Sequence, residues 1–166
     1  MYIKEKMIHI IRKIIHSVEK VKGMKIEFIS NAFEHLKTAY YEDFFFQDVE
    51  VRDLENDRVL LTSDFQGKFL QLIWDVLIEF ESQNTVKKVK QYGKKNFYLF
   101  ERVDNHICIE LNGERFVDED YGIFHEAYYE ATKHYLQFIR RENPRVALQE
   151  SFQQLAASCS YFERRF

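Results

Sequence analysis

Residues 63–83, SDFQGKFLQLIWDVLIEFESQ, constrain the fold more than any other stretch of the chain. Phe65, Phe69, Leu70, Leu72, Ile73, Trp74, Val76, Leu77, Ile78 and Phe80 cover most of a helical circumference. They leave only a narrow polar strip of Lys68, Gln71, Asp75, Glu79 and Ser82. A helix this apolar has to be covered on more than one side. Asp75 and Glu79 interrupt it too often for a bilayer span, which needs about 20 predominantly apolar residues. The stretch therefore reads as the buried central helix of a globular domain. Ser63 followed by Gln66 predicts a capping box that satisfies free backbone donors at its start.

Around this helix the periodicity changes several times. Ile3, Met7, Ile11, Ile14, Ile15, Val18 and Val21 form one stripe at helical spacing, and Gly23 supplies a stop, so residues 2–22 predict an amphipathic first helix. His9 and His16 fall on its polar face. Lys25 to Ile29 predicts a short strand, and Asn31 with Glu34 a capped short helix carrying Phe33, Leu36 and Tyr40. Val49 and Val51 alternate with acids before the turn Glu55-Asn56-Asp57, and Val59-Leu60-Leu61 returns, which predicts a hairpin. Beyond Gln83, strands over 86–92, 96–103 and 106–111 are separated by turn residues. Asn112-Gly113 is the strongest short hairpin signal in the chain. Tyr121, Phe124, Tyr128, Ala131, Tyr135, Phe138 and Ile139 then define a long helix ending near Asn143. Pro144 breaks it and suits the first position of a new one. That last helix carries Leu148, Phe152, Leu155, Cys159, Phe162 and Phe166 on one stripe.

The expectation is an α+β domain: an antiparallel sheet of about five strands with helices packed on both faces, plus a C-terminal amphipathic helix. Residues 1–166 form one domain, with 1–143 the core and 144–166 the added helix. This order resembles the profilin-like and roadblock-like scaffolds, and also the type III secretion chaperones. The resemblance is one of element order over roughly residues 2–143 and carries no functional residue with it.

Composition narrows the function classes. A formal charge of -3 creates no field that would draw nucleic acid or an acidic membrane, and acids interleave with bases nearly everywhere. Lys87, Lys88, Lys90, Lys94 and Lys95 form the one local basic cluster, best explained as protection of an edge strand. Two cysteines make no disulfide framework, and charges at Lys4, Glu5 and Lys6 break any signal-peptide core, so a cytoplasmic location is expected. Aromatics reach 16%, with 16 Phe and 10 Tyr, which is more than a core of this size needs.

Chemistry-bearing patterns are few. Glu126, Glu130 and His134 share one helix face with His125 beside them, a set that could hold a metal, but the trio lies opposite the apolar stripe and points to water. No metal site and no cofactor is expected. Cys108 and Cys159 lie among apolar neighbours and read as core packing. Nucleophile elbows, phosphate-cradling loops and dinucleotide fingerprints are absent from the sequence, so the reading leans away from an enzyme and names no catalytic residue. Adjacent tyrosines are more informative. Tyr40–Tyr41 and Tyr128–Tyr129 each force one ring off the buried stripe, and exposed Tyr is enriched at interfaces.

The sequence thus predicts a non-catalytic module that binds another protein, in the manner of an inhibitor, immunity protein or chaperone. Tyr41, Tyr129, Phe152 and Phe162 are the contact candidates, and a homodimer through the C-terminal helix is a further option. The alternative is a small-molecule sensor or enzyme with an aromatic pocket between the sheet and the central helix.

Overall fold

The computed structural model of the protein describes residues 23–39 and 43–164. The first helix, Tyr40, Tyr41 and Phe166 of the sequence reading lie outside the described residues.

The described chain runs β1 (Ile26–Ile29), a 3-10 helix (Asn31–Thr38), a 3-10 turn (Phe44–Phe46), β2 (Val49–Asp53) and β3 (Arg58–Ser63). Helix α1 (Gln66–Phe80) follows, then β4 (Val86–Lys90), β5 (Phe97–Val103), β6 (His106–Leu111) and β7 (Glu114–Asp120). Helix α2 (Tyr121–Glu142), a 3-10 turn (Val146–Leu148) and helix α3 (Glu150–Glu163) complete it. The class is α+β. No helix among the described residues is long and apolar enough to cross a membrane.

The expected single sheet of about five strands is corrected to two antiparallel sheets, of order β1-β2-β3 and β4-β5-β6-β7. The chain leaves β3 directly for α1 and re-enters as β4. Only one backbone bond joins the sheets in this region, from Asp64 N–H to Tyr92 O at 3.1 Å. Side chains make the remaining junction. Thr62 N–H donates to the Tyr98 hydroxyl at 3.0 Å, and Gln91 Nε2 donates to both Thr62 Oγ1 at 2.8 Å and Tyr98 at 3.2 Å.

Local chemistry explains the turns. Asn112 and Gly113 adopt φ of 53° and 80°, the positive pair that a two-residue hairpin with native twist requires. Gly93 has φ of 82°, and a Cβ there would lie 1.6 Å from Asp64 Oδ2. Both conformation and space exclude a side chain, so Gly93→Ala is expected to cost about 1–2 kcal/mol. Urea unfolding checks this, and a change below about 0.3 kcal/mol would refute it.

Helix α1 is the core element the sequence predicts, with Phe69, Leu70, Ile73, Trp74, Leu77 and Phe80 all fully buried. Its capping box is not formed. Phe65 occupies the N-cap position, and the Ser63 hydroxyl accepts instead from Phe65 N–H at 3.2 Å. Gln66 is pulled inward because it has better partners there. Its Nε2 donates to Phe44 O, and its Oε1 accepts from the Tyr135 hydroxyl at 2.9 Å.

Helix α2 is tied to α1 by tyrosines spaced at seven residues. Tyr121 donates to Leu77 O at 2.7 Å, Tyr128 to Leu70 O at 2.8 Å, and Tyr135 to the Gln66 side chain. Descending partners against ascending donors mean that the two helices run in opposite directions. The heptad spacing keeps all three rings on one face of α2, and each hydroxyl is satisfied where it is buried. On the far side Phe28 of β1 meets Tyr128 and Tyr135 with ring centroids 5.2 and 5.5 Å away.

Asn143 caps α2, and Pro144 ends it as expected, but the next helix starts only at Glu150. Asn143 Nδ2 donates to Leu36 O at 2.9 Å, which fixes this corner to the 3-10 helix. Helix α3 folds back onto α1 and α2 of its own chain. Phe152 and Leu155 are fully buried and Cys159 nearly so, while Leu148, in the turn before the helix, is 68% exposed. Phe152, a contact candidate from sequence, is buried within its own chain. The buried part of the stripe, Phe152, Leu155 and Cys159, is covered by the chain's own helices.

Candidate functional site

Two concave surfaces deserve comparison as sites. The larger is a cleft of about 990 Å³ where the N-terminal half of α2 meets the end of α3 and β5. Tyr129 and Phe162, both expected contact residues, line it together with Glu126 and Glu130. Tyr129 packs on Phe162 with centroids 4.8 Å apart, and its hydroxyl donates to Glu163 Oε1 at 2.6 Å. Desolvation and that bond with the carboxylate raise the Tyr129 pKa. Tyr129 therefore braces α3 against α2 as well as facing the cleft.

Arg102 was not singled out from sequence, and His125 was named only as a neighbour of the Glu126, Glu130 and His134 set. His125 is only 5% exposed and sits in an aromatic box, 4.2 Å from Phe162, 5.5 Å from Tyr121 and 5.7 Å from Trp74 between ring centroids. Its Nε2 is buried and meets no hydrogen-bond partner among the described residues. Burial, and then the Arg102 charge, lower its pKa to about 4. Arg102 lies 4.1 Å over the Tyr121 ring and donates from Nη1 to Phe80 O and from Nε to Asp104 O at 2.9 Å. It closes the end of α1, whose last carbonyls lack intrahelical donors. Burial pushes the Tyr121 hydroxyl up to about 12. Neutral His125 and neutral Tyr121 thus form an uncharged floor beneath a largely acidic rim.

The second surface is a groove of about 550 Å³ between the start of α1 and the start of α3. Phe46, Phe65 and Tyr92 form a ladder along it, with edge-to-face contacts of 6.0 and 5.9 Å between successive centroids. Phe46 is 63% exposed and Phe65 38%. The ammonium groups of Lys90 and Lys68 lie 5.4 and 6.0 Å from the Tyr92 ring centroid, within reach of a cation–π interaction. The run Phe44-Phe45-Phe46 was the available signal. Three successive residues of one 3-10 turn point in three directions, and only Phe44 and Phe45 turn inward.

The metal candidates do not converge. Glu126, Glu130 and His134 are all exposed, and among the described residues no group of three His, Cys, Asp or Glu side chains is placed to hold an ion. Cys108 and Cys159 are buried and free. Burial raises both thiols, Cys159 to about 11, with Asp118 and Glu163 respectively as the next causes. Thiols raised in this way are poor nucleophiles at neutral pH. The lysine cluster falls on β4, an edge strand, and the turn that follows it.

Set against known protein families, curated proteins and solved structures, the chain matches none.

Proposed function

We propose that this protein is a non-catalytic binding module that recognises another protein through the Phe46–Phe65–Tyr92 groove. The observation that carries the reading is the ladder itself: three aromatic rings in successive contact, with Phe46 and Phe65 exposed. Packed, solvent-facing aromatics are the residues that dominate binding energy in protein interfaces. A contiguous exposed apolar patch is also costly to keep without a use. Phe152 is buried in its own chain, so this reading places the contact surface at the opening of α1 rather than on the last helix.

A second reading is a small-molecule site in the His125 cleft. Its volume of about 990 Å³ is at the upper end of the roughly 300–1,000 Å³ of ligand sites, and its aromatic floor suits a flat ligand.

One experiment separates the two. Photoreactive p-benzoylphenylalanine is placed at Phe46, at Phe65, or at the exposed α2 position Gln137, in the cells that make the protein. The protein-binding reading expects the same discrete adduct from Phe46 and Phe65 and none from Gln137. Absence of any adduct above the Gln137 control overturns it. If one compound from a metabolite panel then raises the melting temperature by several degrees, the second reading takes its place.

A further inference from the structure

We propose that the free edge of β4 accepts an acidic, extended segment of the partner as an added strand, with that segment's aromatic or apolar side chains continuing onto Tyr92 and Phe65; this rests on the protein-binding reading.

The backbone pattern defines the edge. Arg102 N–H bonds Thr85 O and Gln91 N–H bonds Asn96 O, each at 3.1 Å. Hydrogen bonding alternates along an antiparallel strand, so Thr85, Lys87, Val89 and Gln91 face β5 while Val86, Lys88 and Lys90 turn their N–H and C=O groups outward. No described element bonds to those three. An unpaired row of donors and acceptors is the template that strand addition uses.

Charge selects the occupant. Of the local lysines, Lys87 is paired with Glu79 at 2.6 Å, whereas Lys68, Lys88, Lys90, Lys94 and Lys95 have no carboxylate in ion-pair range among the described residues. Two of these ammonium groups converge on the single Tyr92 ring. A second copy of this edge would set lysines against lysines, and like charges directly opposite are destabilising. The lysines therefore reject self-pairing and favour a strand bearing Asp or Glu. A nucleic acid strand would satisfy the charge, but it lacks the alternating amide donors and acceptors that the edge presents. The groove continues the edge, since Tyr92 follows β4 by two residues and contacts Phe65.

The test uses the full chain and a fluorescein-labelled decapeptide of alternating Glu and Tyr. Hydrogen exchange on the bound protein should show new protection at Val86, Lys88 and Lys90. Lys88→Glu with Lys90→Glu should weaken binding by at least about tenfold, as should a rise in salt from about 0.05 to 0.3 M. No binding, equal binding by the charge-reversed protein, or the same protection produced by oligothymidylate overturns the inference. A photo-adduct at Phe46 that survives the charge reversal also overturns it while leaving the protein-binding reading intact. Loss of that adduct on charge reversal supports both.

Discussion

Replacing Trp74 with Ala is expected to remove about 3–5 kcal/mol of stability, a large fraction of the roughly 5–15 kcal/mol that holds a domain of ordinary size. Trp74 is fully buried, and its Nε1–H donates to Thr132 Oγ1 at 2.9 Å. Its ring lies 5.5 Å from Tyr128 and 6.3 Å from Phe162 between centroids, so it joins α1 to both later helices. Truncation leaves a void where three helices meet, and each of them is held by its neighbours, which limits how far the site can collapse. The polar loss is smaller, because the Thr132 hydroxyl still donates to Tyr128 O at 2.8 Å. The melting temperature should fall by roughly 6–20 °C. Trp74 is the sole tryptophan, so the variant has to be followed by circular dichroism rather than fluorescence. A loss below about 1 kcal/mol would show that α1 is not the core element.

The same helix shows what the sequence can and cannot reveal. Its apolar circumference demanded burial, and burial followed. The Asn112-Gly113 hairpin was legible for a different reason, since its positive φ values are a local property of those two residues. The split into two sheets was not legible. The two sheets are bridged by Thr62, Gln91 and Tyr98, which meet only in the folded chain. Phe152 illustrates a second limit: helical periodicity identifies a face that needs a cover, but a helix of the same chain and one of a second copy satisfy it equally. The aromatic surplus was partly absorbed by Tyr121, Tyr128 and Tyr135, whose hydroxyls find acceptors on α1. Among the described residues Phe46, Phe65, Phe97 and Tyr161 remain at the surface, and of these Phe46 and Phe65 touch each other. Nothing in the pattern around Tyr41 or Tyr129 pointed to them.

His125 was hidden by its own identity. It lies four residues after Tyr121 and three before Tyr128, at the border of the buried stripe, where the sequence reading sets it beside Glu126, Glu130 and His134 without giving it a face of its own. Its burial predicts a specific acid sensitivity. Folding lowers its pKa from about 6.5 to about 4 through burial and the Arg102 charge. Between those values the unfolded chain takes a proton that the native chain refuses, so stability is complete above about pH 6.5 and falls as the pH drops. At 1.36 kcal/mol per pKa unit, the loss reaches about 2–3 kcal/mol by roughly pH 4.5. Arg102 on β5, Glu81 beyond α1, Asp120 before α2, Glu126 and Glu130 on α2, and Glu163 on α3 line the same cleft. Those carboxylates are common to the wild-type protein and to a His125 variant. The difference between the wild-type protein and His125→Phe therefore isolates the imidazole. Phe suits the aromatic box of Trp74, Tyr121 and Phe162 and removes the unpartnered Nε2. The urea midpoint of the wild-type protein should fall further than that of His125→Phe as the pH drops, and the His125 imidazole should titrate well below 6 by NMR. Parallel pH profiles, or an imidazole that titrates near 6.5, would mean that the ring is hydrated and that the floor of the cleft is open to water.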